Sequence, residues 1–364
     1  MINPHTLLAL ASGLLLGIAP AVAQPYAYHS IDVSCAATAT VCPAGLAPGQ
    51  VARQTSARGI NTRGDIVGSY VDSAGLQHGF LLQDGAWITL DFPVAGVRAT
   101  VANGLNAQGE IVGQYLLPIN PDVAEDSPLY CPQNISANSA DPACIKGFHY
   151  RNGTYSTVMF RGHPGAIAQR ITSNGEIYGC LHDYDLGASM FGAAWTRVLR
   201  PDGTVEFDSA MSLEAGGMQI SDAMPVTMSM NNGASRGGKT VAGVVMDMDG
   251  QQRGFIVENG TIERYTPTVD SNLTAIWDMN AVGQFVGTYR KKGELTGSRH
   301  GFIQLPNRAD PTEINVTLLD AGGNAVTAFA TIVFGINAEG TIVGQYSAVA
   351  GGAAHGFVAV PSRQ

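Results

Sequence analysis

The stretch GASRGGKT at Gly233–Thr240 fits the G-x-x-x-x-G-K-[ST] pattern of a phosphate-cradling loop. Gly233, Ser235 and Gly237 within it also carry the G-x-S-x-G spacing of a serine nucleophile elbow. Each pattern works only where a strand leads in and a helix leads out. A second set of chemically capable residues lies elsewhere. CLHDYDLGASM holds His182, Asp183, Tyr184 and Asp185, and RGHPGAIAQR holds Arg161, His163 and Arg170. Trp277 and Asp278 adjoin, Tyr289 and Arg290 open a basic run, and Arg98 precedes a long insertion. A His or Tyr base beside an arginine that neutralises a uronate would suit a polysaccharide lyase. A pair of carboxylates would suit glycoside hydrolysis. His182 and Asp183 are thus the candidate catalytic pair. Arg98, His163, Arg170, Tyr184, Asp185, Trp277, Asp278, Tyr289 and Arg290 are the candidate ligand-binding residues. DMDG at Asp247–Gly250 and DYD at Asp183–Asp185 supply too few oxygen ligands in register for a calcium loop. No metal and no cofactor is assigned.

The elements that must position these residues come from an internal repeat. INTRGDIVGSY begins at Ile60, LNAQGEIVGQY at Leu105, ITSNGEIYGCL at Ile171, MNAVGQFVGTY at Met279 and INAEGTIVGQY at Ile336. In each, seven positions separate the Asn or Thr from the second Gly. A sixth copy begins at Met230, where the interval from Asn231 to Gly243 is twelve. The five extra residues fall inside NGASRGGK, so the phosphate-loop lookalike reads as an enlarged hairpin turn followed by the strand TVAGVVMDM. That context offers no helix N-terminus for a phosphate and no elbow for Ser235. No nucleotide is expected as a partner.

A second signature follows most copies: HGF at His78, KGF at Lys146, RGF at Arg253, HGF at His300 and HGF at His355, with a degraded FGA at Phe191. Asp84-Gly85, Asn152-Gly153, Asp202-Gly203 and Asn259-Gly260 come next, pairs suited to tight hairpins. An alternating run such as WITLDF completes the unit. Each unit therefore reads as a four-stranded antiparallel meander. Repetition of such sheets points to an all-β fold, a six-bladed β-propeller of four-stranded antiparallel blades. The last copy stops after its third strand, while YHSIDV at Tyr28–Val33 resembles an orphan fourth strand. Their pairing would close the ring through the N-terminal strand and hide both edges. His78, His300 and His355, spread round the ring by the repeat, read as structural. In this topology the loops from second to third strand and from one unit to the next share a face, and the candidate site residues gather in them.

These units resemble the HAF-type bacterial extracellular repeats. The G-I-N-x-x-G-x-I-V-G-x-Y cores and H-G-F triplets carry the resemblance, which spans nearly all of the chain beyond residue 24. It implies export and repeated β structure and no particular activity. Copy three departs by losing its triplet and copy four by its enlarged turn.

The remaining features concern location and partners. MINPHTLLALASGLLLGIAPAVAQ has an apolar run from Leu7 and a small-x-small site at Ala21–Ala23, which reads as a signal peptide over residues 1–23. Its n-region lacks Lys and Arg. Residues 24–364 are then a single secreted or periplasmic domain with no membrane span. Cys35–Cys42 and Cys131–Cys144 read as local disulfides, with Cys180 left over as a buried thiol. A net charge of −9 without a basic cluster argues against nucleic acid. Charged residues make up 13% of the chain, against about 25% in typical globular proteins, and 45 glycines accompany them, so turns and buried strands dominate. The expected function is binding of an extracellular ligand, a glycan or envelope component, at the propeller mouth. The alternative is a secreted polysaccharide-degrading enzyme with its site in repeats two to five.

Overall fold

A computed structural model describes residues 26–362 apart from 125–126, 128, 132–142, 160–164, 184–188, 200–204, 212–225, 236–239, 248, 259–260, 307 and 320–321. Residues 1–23, the expected signal peptide, lie outside the described residues, as do the side chains of some strand positions, His182 and Asp183 among them.

Alternating apolar residues broken by Asx-Gly turns produce strands throughout. Strand β1 (Tyr26–Ser30) comes first. Unit one follows as β2 (Gln54–Ile60), β3 (Ile66–Val71), β4 (Gln77–Gln83) and β5 (Ala86–Leu90). Unit two is β6 (Ala99–Leu105), β7 (Ile111–Pro118), β8 (Ala143–Arg151) and β9 (Thr154–Val158). Unit three is β10 (Gly165–Ile171), β11 (Ile177–Asp183), β12 (Ser189–Leu199) and β13 (Val205–Met211). Unit four is β14 (Val226–Ala234), β15 (Thr240–Asp247), β16 (Gln252–Glu258) and β17 (Thr261–Tyr265). Unit five is β18 (Ser271–Met279), β19 (Phe285–Lys291), β20 (His300–Gln304) and β21 (Thr312–Ile314), trailed by the short hairpin β22 (Thr317–Leu319) and β23 (Ala325–Thr327). Unit six is β24 (Ala330–Ile336), β25 (Ile342–Ser347) and β26 (His355–Pro361). The described residues contain no helix.

The arrangement is a β-propeller. Four sheets are four-stranded, and units one and two share an eight-stranded sheet through the single parallel bridge Gln77↔Ala99. Strand β1 pairs antiparallel with β26, in register from Tyr26↔Pro361 to Ser30↔Phe357. The first strands touch in the order β2, β6, β10, β14, β18, β24 and back to β2. Cores lie between neighbouring sheets: Val286 and Ile303 of unit five pack with Val333, Ile336 and Phe357 of unit six and with Tyr26 and Tyr28 of β1.

The repeat signature has a packing cause. A Cβ on Gly68, Gly113, Gly243, Gly287 or Gly344 would run into a backbone carbonyl of the first strand and into the ring of the triplet Phe of the same unit. The second Gly of the motif and the Phe of H-G-F are therefore two halves of one contact. In unit three the Phe position is Ala193, and Trp195, two residues on, is fully buried in the same core. Asp84 and Asn152 take φ of 49° and 50° ahead of their glycines, as tight hairpins require.

Strand β15 begins at Thr240, directly after the GASRGGK segment. In unit one Asn61 N donates to Asp65 O to close the turn; in unit four Ser235 N donates to Thr240 O. Ser235, rather than Asn231, is thus the counterpart of Asn61. The turn is one residue longer than the others, and β14 runs on through Asn231. The spacing from Asn231 misplaced this turn because strand β14 carries two asparagines of similar context.

Cys35–Cys42 closes a loop between β1 and β2, and Cys131–Cys144 staples the insertion between β7 and β8. Such bonds belong to oxidising compartments. Cys180 is buried and its thiol is pushed up to about 12 by burial, which leaves it protonated and unreactive. Among the described residues no helix is long and apolar enough to cross a membrane.

Candidate functional site

Strands β14 and β18 bulge near their starts, at Val226/Met228 and Ser271/Leu273, and every first strand bulges near its end. The end bulges fall at Ala57/Gly59, Ala102/Gly104, Ala168/Arg170, Asn231/Gly233, Ile276/Asp278 and Val333/Gly335. A bulge bends the strand and re-aims its side chains. The residue that follows the bulge is Gly in four units, Arg170 in unit three and Asp278 in unit five. The glycines let backbones meet on the axis: a Cβ on Gly335 would meet Arg58 O at 2.8 Å and one on Gly104 would meet Gln169 O at 2.8 Å.

Arg170 fills the space so cleared. Its Nε lies 3.0 Å from Asp278 Oδ1 as a buried ion pair. One terminal nitrogen donates to Asn103 O at 2.5 Å and Gln169 O at 2.7 Å, and the other to Arg58 O at 3.2 Å and to Phe334 O. Its two terminal nitrogens make four hydrogen bonds, and its contacts span units one, two, three, five and six. Asp278 in turn accepts from Met279 N at 2.8 Å and Ile336 N at 3.0 Å. Burial holds its carboxyl above the usual range, opposed by Arg170 and by those two N–H donors.

Above this pair a cup of about 380 Å³ opens on the axis at the turn between first and second strands. Ile60, Leu105, Ile171, Met279 and Ile336 form its apolar wall, and Thr62, Asn106, Ser173, Asn174, Asn280 and Asn337 its neutral polar rim. Four asparagines are held by one scheme. Asn61 Oδ1 accepts Arg63 N and Asp65 N, while Nδ2 donates to Asn106 O of the next unit at 3.3 Å. Asn106 reaches Thr172 O, Asn280 reaches Asn337 O, and Asn337 reaches Asn61 O. Among the described residues the only charged side chains of the lining are Arg170 and Asp278, which pair with each other.

The expected site residues divide. Arg170 and Asp278 meet on the axis. His182 stands opposite Gly165, five residues back along β10 from Arg170. At about 3.3 Å per residue that register separates the two positions by roughly 15 Å along the strand. His182 and Asp183 end β11, with their side chains outside the described residues; His163, Tyr184 and Asp185 lie outside them altogether. Trp277 packs edge-on against Phe334 at 5.4 Å. Tyr289 is buried, donates to Glu313 and leans on His300 at 5.2 Å, so it occupies the place Tyr70 and Tyr346 hold in their own units. Arg290 Nε donates to Asn272 at 3.2 Å. Arg98 is exposed at the entry to β6, where its N–H donates to Leu116 O.

The triplet histidines are structural, each bonded to a carboxylate: His78 to Asp91 at 2.8 Å, His300 to Glu294 at 2.8 Å and His355 to Asp32 at 2.9 Å. Sequence reasoning missed Arg58, whose significance appears only in the bulge column Arg58, Asn103, Gln169, Asn232, Trp277 and Phe334. Read down the chain, that column and its neighbour of four glycines, one Arg and one Asp were the available signal.

No family model and no curated protein matches the sequence. Among solved structures the chain is similar to a lectin from Aleuria aurantia in complex with Fucα1-6GlcNAc, at 12% identity and a TM-score of 0.41 over 85% of this chain and 96% of the lectin. It is similar to Trypanosoma rangeli sialidase at 8% identity and a TM-score of 0.45, over 91% of this chain and 59% of the sialidase. It is similar to TolB from Acinetobacter baumannii at 12% identity and a TM-score of 0.33, over 93% and 70% of the two chains. Likeness at this level assigns neither ligand nor activity.

Proposed function

We propose that this protein is a secreted binding protein, a single six-bladed propeller of HAF-type repeats closed by β1, that seats a neutral glycan segment in its axial cup. The count of six is supported by the bulge that recurs near the end of each first strand and by the cyclic order of those strands. Closure is supported by β1, which carries Asp32 to His355 in the way the fourth strand of unit one carries Asp91 to His78. Export is supported by the signal-like N-terminus and the two disulfides.

The observation that carries the functional reading is the composition of the cup. An apolar wall under a rim of amides and hydroxyls matches a sugar, which offers C–H faces and hydroxyls together. Arg170 and Asp278 are paired with each other, and they are the charged side chains among the described residues of the lining. That favours binding over turnover. The test is a glycan panel scored for both retention and product release. Ala338→Trp, placed at the exposed lip, is expected to cut retention more than tenfold while the melting temperature stays within about 2 °C. Product release from any glycan, or full retention by Ala338→Trp, defeats this reading.

A further inference from the structure

Arg58 sits at the bulge of β2, and its side chain lines a second cavity that shares no lining residue with the cup. Its Nε is cut off from solvent and has no hydrogen-bond partner among the described residues. One terminal nitrogen reaches Asn103 Oδ1 at 3.4 Å, a long contact, and the guanidinium carbon lies 4.8 Å from the Phe334 ring centre. No described carboxylate forms an ion pair with it, and Asp278 faces Arg170 instead. The axis thus holds two guanidinium groups and one carboxylate. Burial and the charge of Arg170 lower the Arg58 pKa only to about 10, so it stays cationic at neutral pH. An N–H shut off from water without a partner is costly, and arginine cannot escape by shedding its proton.

A cavity of about 210 Å³ adjoins this cation, between β2, β3 and β25. Ser56, Ser69, Tyr70, Gln77 and Gln345 line it with Arg58. Ser56 Oγ is also buried without a partner. The volume would hold roughly seven waters, or one small polar ligand. One unbalanced positive charge calls for one negative charge, and a guanidinium fork matches a carboxylate. Inorganic phosphate, a mixture of monoanion and dianion at neutral pH, would as the dianion need a second cation that the described lining lacks.

We propose that this cavity is an anion site for a carboxylate-bearing ligand of sugar-acid size, with Arg58 as its counter-charge and Ser56 Oγ as a hydrogen-bond donor. The site is separate from the axial cup and stands whether or not the cup takes a glycan.

The experiment titrates the full chain with glucuronate, glucose and inorganic phosphate at matched ionic strength, by calorimetry and thermal melting. Glucuronate is expected to bind at least tenfold more tightly than glucose, to exceed phosphate, and to raise the melting temperature. Arg58→Met is expected to lose at least tenfold in glucuronate affinity, with glycan retention in the cup unaltered. Ala338→Trp is expected to leave glucuronate affinity unaltered. If Arg58→Met does not fold, Ser56→Ala serves in its place with an expected loss of several-fold. Equal affinity for glucuronate and glucose, undiminished binding by the folded variant, or a preference for phosphate would each overturn the assignment. Loss of cup retention with glucuronate binding intact would count against the cup alone.

Discussion

Arg170 shows what a single side chain can do at a symmetry axis. Its guanidinium reaches one carboxylate and four carbonyls, a set only a planar fork can satisfy. Arg170→Met would leave Asp278 buried without its counter-charge, with only the Met279 and Ile336 N–H donors, and would remove the Arg170 donors from those carbonyls. Breaking one side of a buried pair costs about 3–5 kcal/mol. Arg170→Lys keeps the charge yet cannot span the axis, so its loss should approach that of Arg170→Met in urea unfolding. A lysine variant within about 1 kcal/mol of the parent would show that charge alone matters. Arg58 differs from Arg170 in having no ion-pair partner among the described carboxylates, whereas Arg170 has Asp278.

At the scale of elements, the turn between first and second strands is the repeated working part. In units one, two, five and six an Asn both caps its own turn and donates to the next unit. Units three and four keep the cap alone, through Thr172 Oγ1 to Glu176 N at 3.1 Å and Ser235 Oγ to Thr240 N at 3.0 Å. The protein therefore contains its own comparison. Asn337→Ala should remove the cap for Glu339 N and Thr341 N together with the link to Asn61 O, at about 1–3 kcal/mol. Asn337→Thr should lose only the link and cost less than half as much. Chemical denaturation of the two variants side by side measures the difference, and equal losses would mean the inter-unit bond dominates.

For the whole molecule, closure and charge make separate predictions. Strand β1 covers the edge of β26 and contributes Tyr26 and Tyr28 to the core between units five and six. Removing residues 24–33 should lower the melting temperature of the entire domain in one transition; an unchanged main transition with a small early one would show β1 to be a local cover. Stability should also depend on pH in a definite direction. Hydrogen bonds to Asp91, Glu313 and Asp32, respectively, raise the pKa of His78, His300 and His355 in the folded state. Their contribution is complete below the unfolded value of about 6.5 and fades as pH rises through the raised values. His149, lowered by burial, acts oppositely. Glu313, held near about 2 by His300, and Glu110, held low by Asn106 and Arg197 against burial, contribute above their unfolded values and lose that contribution as pH falls through the lowered ones. The melting temperature should therefore peak between about pH 5 and 6.5. A melting temperature that climbs steadily to pH 8 would refute the histidine account.

Much of this architecture is local and so was legible in one dimension. The seven-residue interval from Asn61 to Gly68, the H-G-F triplets and the Asx-Gly turns encode hairpins whose partners are neighbours in sequence, and strand alternation does the rest. From these follow the all-β class, the four-stranded unit, the strand after Lys239 and both disulfide loops. The axis was not legible in the same way. Arg170 and Asp278 are 108 positions apart, and nothing in either segment says that their backbones converge. Only the ring of packed sheets brings six bulges to one line, where glycines clear room for one arginine and one aspartate. The same convergence pairs Arg170 with Asp278 at the floor of the cup, leaves Arg58 without an ion-pair partner among the described residues, and sets the register of His182 far along the strand from Arg170. Charge pairing inside a protein is decided by distance and burial, and both are properties of the tertiary structure.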